Sequence, residues 1–107
     1  MWFLRVMSLD LADVVGQVDG ERLYQHVLRL QGVKRPIDAP EKLNEAADYV
    51  HSEFKQCGLV PHNQFFAVPG FDGTFRNVEA VANHEDDEPE LLIVAHYDTV
   101  ENSPWSE

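Results

Sequence analysis

The residues in this chain best suited to chemistry are His96 and Asp98, separated by one position in the run His96-Tyr97-Asp98-Thr99. A neutral imidazole is a good zinc donor, and a carboxylate two residues on can ligate as well or hold the ring by accepting its other N–H. If the backbone there is extended, side chains alternate, so residues 96 and 98 share one side. The same spacing also serves a pair that bonds only to itself or to nearby backbone, so the motif by itself leaves both readings open.

Other reactive side chains are scattered. His26, His51, His62 and His84 recur at no ligand spacing, and each is read as a surface or packing histidine. His51 and Asp48 lie three apart on a helix, an ordinary surface spacing. Ser103 and Ser106 have neither a nucleophile elbow nor a base beside them. Gly70 and Gly73 flank a turn and do not form a phosphate loop. Cys57 is the single cysteine, which excludes an internal disulfide, and its place on an apolar helical stripe predicts a packed core thiol.

The elements that must position residues 96 and 98 follow from periodicity. A first helix is predicted over residues 20–31, with Asp19 as N-cap, Leu23, Val27 and Leu30 on one face and Gly32 as the stop. After a proline-containing loop over 34–39, a second helix opens on Pro40. It carries Leu43, Ala46, Ala47, Val50, Phe54 and Cys57 at three- and four-residue spacing and ends before Gly58. Phe54 is its expected core anchor. Its other face holds Glu41, Lys42, Glu45, Asp48, Glu53 and Lys55, so it should lie against a sheet with that face in solvent. Residues 59–68 and 74–83 are strand-like, and Pro69-Gly70-Phe71-Asp72-Gly73 is turn chemistry, which predicts an antiparallel hairpin. An acidic turn is expected over 84–90. The continuous apolar run Leu91-Leu92-Ile93-Val94-Ala95 predicts a strand buried on both faces, with His96 at its carboxyl end, where α/β sheets usually bind ligands.

Composition sets outer bounds. With 107 residues, 44% hydrophobic and 10% aromatic, the chain is expected to form one folded domain with a single core. Nineteen acidic against eight basic residues give a formal charge of -11, which repels phosphate backbones and anionic membranes, so no nucleic-acid partner is expected. Nothing is long enough to span a bilayer, and Asp10 and Asp13 interrupt the apolar opening before a signal-peptide core is complete, which leaves the compartment open.

Several segments, taken in order, resemble peptidase family twenty-eight of the MH clan, the cocatalytic-zinc aminopeptidases related to glutamate carboxypeptidase II, the transferrin receptor and glutaminyl cyclases. From about Glu21 onward, the stretch Glu41-Lys42-Leu43-Asn44-Glu45-Ala46-Ala47-Asp48-Tyr49-Val50 with Phe54 and Cys57-Gly58-Leu59 looks like that family's first long helix. Phe75-Arg76-Asn77-Val78-Glu79-Ala80-Val81 looks like its "RNV" strand. Leu92-Ile93-Val94-Ala95-His96-Tyr97-Asp98-Thr99-Val100, then Asn102-Ser103-Pro104, looks like its first zinc-ligand strand and following loop.

The resemblance implies the N-terminal part of a three-layer α/β/α zinc-exopeptidase fold with a mixed sheet, residues 1–107 being a single incomplete domain. It makes His96 a ligand of one of two Zn2+ ions in the complete protein and Asp98 the acidic site residue behind it. The activity implied is removal of residues from the N-terminus of a peptide substrate. The family's metal-bridging Asp, its Glu general base and the other ligands are expected beyond Glu107. The chain alone is therefore expected to be inactive, to hold zinc weakly and to self-associate through apolar surface left uncovered. Related MH-clan carboxypeptidases or deacylases, glutaminyl cyclisation, and a noncatalytic recognition protein of the same fold are the alternatives.

Overall fold

A computed structural model describes residues 11–82 and 92–100. The chain divides into two compact units, residues 1–30 and 31–107. The expected acidic turn over 84–90 lies outside the described residues, as do Leu91, Ser103 and Ser106.

The first unit holds α1, Leu11–Gly16, and α2, Gly20–Leu30. The expected cap is present: Asp19 Oδ1 accepts from the backbone N–H of Glu21 at 3.0 Å and of Arg22 at 3.4 Å, satisfying donors that an α-helix leaves open at its start. Gln25 Nε2 donates to Glu21 Oε1 at 2.9 Å one turn away. Beyond α2, Gly32 takes φ +76°, the left-handed geometry that terminates helices.

The second unit is built from α3, Pro40–Gln56, and a two-stranded antiparallel sheet, β1, Pro61–Phe66, with β2, Phe75–Ala80. Pro40 stands in the first turn of α3, where its missing N–H costs nothing. No side chain caps Ala39. Instead Asn44 Nδ2 donates to the Pro40 carbonyl at 2.9 Å and to the Thr74 carbonyl at 3.0 Å, tying the first turn of α3 to the entrance of β2. In the hairpin, Phe66 faces Phe75 with ring centroids 6.0 Å apart, and Gln64 faces Asn77, whose Nδ2 donates to the glutamine at 3.0 Å.

The core lies where α3 crosses this hairpin. Leu43, Ala46, Ala47 and Phe75 are its buried apolar residues among those described. Burial along the α3 stripe fades toward its C-terminus: Val50 and Phe54 are half-buried and Cys57 is exposed. The core-thiol expectation for Cys57 is thus corrected. The helix ends at Gln56, and Cys57 is its cap residue, sending its N–H to the Glu53 carbonyl at 3.1 Å while its side chain meets solvent.

The largest correction concerns residues 91–95. The described part, 92–95, belongs to no strand, and Leu92, Ile93 and Val94 are 76%, 86% and 76% exposed. A strand buried on both faces needs neighbours on two edges and covering layers above and below; no other strand pairs with this segment among the described residues, so its apolar character goes unused. The secondary structure is α/β in general terms, a helix packed on a small antiparallel sheet. No described helix is long and apolar enough to cross a membrane.

Candidate functional site

The site lies within the second unit. At its base lies Arg76 on β2, the one buried charged residue among those described. One guanidinium nitrogen, Nη2, donates to the Asn44 carbonyl at 2.8 Å and pairs closely with Asp48 Oδ1, and Nη1 reaches Asn63 Oδ1 at 3.4 Å. Arg76 therefore joins α3, β1 and β2. The pair is asymmetric: the Arg76 side chain is 9% exposed and that of Asp48 74%, so most of the desolvation falls on the cation, whose Nη atoms find acceptors while its buried Nε finds none among the described residues.

Over this base passes the segment carrying the motif. Tyr97 is half-buried, and its hydroxyl donates to the Arg76 carbonyl. Burial raises the Tyr97 pKa above the ordinary tyrosine value, with the positive charge of Arg76 acting in the opposite direction. Arg35, from the loop ahead of α3, holds the same segment as well. Its Nε donates to the Tyr97 carbonyl at 2.7 Å and its Nη1 to the Val33 carbonyl at 2.9 Å. Its backbone N–H donates to Thr99 Oγ1 at 2.7 Å, and the Thr99 N–H returns a bond to the Arg35 carbonyl at 3.0 Å. Burial lowers the Arg35 pKa, and Asp98 opposes that shift.

With Tyr97 and Thr99 turned inward, His96 and Asp98 turn outward; their side chains are 85% and 64% exposed. They meet there. His96 Nδ1 lies 3.0 Å from the Asp98 carbonyl and 3.1 Å from Asp98 Oδ1. Neither acceptor carries a hydrogen, so both contacts require the proton on Nδ1. In the neutral ring that leaves Nε2 as a bare lone pair, the form in which histidine ligates metals. The two residues come together on one side as the extended reading requires, although no strand holds them.

Of the other described histidines in this unit, His51 lies on α3 and His62 is exposed on β1, and neither is gathered to this point; His84 lies outside the described residues. Among the described residues no group of three His, Cys, Asp or Glu side chains could hold a metal ion. Zinc takes about three protein ligands in a catalytic site. His96 and Asp98 thus fit zinc in donor type and fall short in number.

Sequence reasoning missed Arg35 and Arg76. Arg76 had a visible cue, a long cation placed in an otherwise moderately apolar strand; Arg35, in a polar loop, had none. No protein-family model matches the chain, and no curated protein or solved structure matches it.

Proposed function

We propose that this chain is the N-terminal portion of a zinc-dependent aminopeptidase, with His96 as a zinc ligand and Asp98 as the carboxylate that fixes the ring. The observation that carries the reading is the His96 Nδ1 contact with Asp98, which directs Nε2 to solvent with its lone pair available. The ordered segments ending in His96-Tyr97-Asp98-Thr99 supply the choice of peptide as substrate, by resemblance alone. In this reading α3 and the hairpin begin a three-layer α/β/α fold with a mixed sheet, and the other ligands of two Zn2+ ions come from residues outside those described. Zinc in such a site supplies Lewis acidity toward an amide carbonyl. What this chain contributes is orientation: Asp98 selects the ring tautomer, and the segment beneath holds both residues toward one side.

The test is hydrolysis by the product of the whole open reading frame containing this chain, supplied with zinc. Aminoacyl anilides should release their N-terminal residue, His96→Ala should abolish turnover, and Asp98→Asn should reduce activity by about 10–100-fold. Turnover confined to C-terminally cleaved, N-acylated or N-terminal glutaminyl substrates would move the assignment to a related zinc enzyme. Activity indifferent to His96→Ala would overturn it.

A further inference from the structure

Three bonds join the residues on either side of Asp98 to one residue. Arg35 holds the Tyr97 carbonyl through Nε at 2.7 Å and Thr99 through a reciprocal pair, N–H to Oγ1 at 2.7 Å and carbonyl to N–H at 3.0 Å. Tyr97 is fastened once more, by its hydroxyl, to the Arg76 carbonyl on β2. Residue 98 is therefore suspended between two clamped neighbours, and its carbonyl and carboxylate are the two groups that His96 Nδ1 contacts. A segment as exposed as residues 92–96 has no packing of its own to set that geometry.

We propose that Arg35 is a positioning residue for the His96–Asp98 pair, acting through Tyr97 and Thr99. The use of the pair as a metal ligand rests on the function proposed above; the positioning itself does not. The guanidinium suits the task because Nε and Nη1 donate at once from one rigid planar group, to Tyr97 and to Val33 at 2.9 Å. A lysine ammonium, a single point on a flexible stem, cannot hold both carbonyls in that plane.

The test uses the 107-residue chain labelled with nitrogen-15, comparing wild type with Arg35→Lys, Thr99→Val and Thr99→Ser. Ring nitrogen shifts of His96 report the tautomer, and amide exchange reports the clamp. Wild type should show the Nδ1–H form. Thr99→Val, which removes the Oγ1 acceptor, should lower protection of the Arg35 amide about tenfold and move His96 toward a mixture of tautomers. Thr99→Ser should restore both. Arg35→Lys should also give the mixture, with α3 amides still protected; if that variant unfolds, the Val and Ser pair decides. A His96 tautomer unchanged by Thr99→Val while the Arg35 amide loses protection would overturn the proposal. If the ring responds as stated but zinc does not engage Nε2, the metal reading fails and the positioning role stands.

Discussion

Arg76 is where removal of a few atoms should be felt most. Arg76→Met keeps the aliphatic stem and deletes the bonds to the Asn44 carbonyl, Asn63 and Asp48, leaving a partly buried carbonyl without its charged donor. The expected cost is about 1.5–3 kcal/mol, the range for hydrogen bonds to charged groups. Asp48→Asn should cost less than about 1 kcal/mol, because Asp48 is 74% exposed and its partner keeps the Asn44 carbonyl. Urea unfolding at unchanged m-value checks the order, and an Asp48 effect exceeding that of Arg76 would contradict it. Tyr97 gives a pH signature. Its folded pKa is raised by burial, so its contribution is fully present below the ordinary value of 10.0 and is lost as pH rises through the higher folded value, the unfolded chain giving up its proton first. The alkaline fall in stability should therefore be shallower in Tyr97→Phe than in wild type, with Tyr24 and Tyr49 present in both. Identical slopes would mean that burial of the phenol has no energetic consequence.

At the scale of elements, the turn between the strands is fitted to the start of α3. Gly73 has φ +101°, and a Cβ there would lie 2.8 Å from Pro40 Cβ and 2.9 Å from Pro40 Cγ. Gly70 has φ +88° with open space around it. Gly73→Ala should cost about 1–3 kcal/mol from backbone strain and more than Gly70→Ala, which lacks the clash; thermal unfolding of the two variants measures the difference. Elements governed by local chemistry were legible in the sequence: the Asp19 cap, the Gly32 stop, Pro40 at the head of α3 and the Gly-rich turn all act within a few residues. The α3 stripe was legible in its first half. Leu43, Ala46 and Ala47 are covered by the hairpin, whereas Phe54 is half-buried and Cys57 exposed, because periodicity reports which side is apolar and not how far the opposing layer extends. Residues 92–95 failed for the same reason: continuous apolarity describes a segment able to be buried, and burial needs a partner. In the site, the shared side of His96 and Asp98 follows from alternation. Arg35, 62 and 64 positions from the residues it clamps, and the Arg76–Asp48 pair, 28 apart, depend on tertiary placement that no local pattern encodes.

For the whole molecule, the second unit combines a small core with much uncovered apolar surface. Leu92, Ile93 and Val94 stand in solvent, as do Phe65, Phe66 and Phe71 of the hairpin and its turn. Among the described residues the sheet has two strands, each with an open edge. The 107-residue chain should self-associate, and a formal charge of -11 should oppose it by repulsion that acts within about 8–10 Å at physiological salt. Raising salt is therefore expected to increase the sedimenting mass; a monomer at both low and high salt would argue that these surfaces are self-sufficient. That His96 takes zinc through Nε2 is read out by zinc titration of this chain followed through the histidine ring nitrogens. With a single imidazole donor and no third ligand among the described residues, binding should be weaker than about 1 μM. The Nε2 resonance of His96 should move while Nδ1 keeps its proton, and Asp98→Asn should weaken the interaction by about tenfold. A His96 Nε2 that does not respond while another histidine does, or saturation of one site per chain at submicromolar zinc, would contradict it.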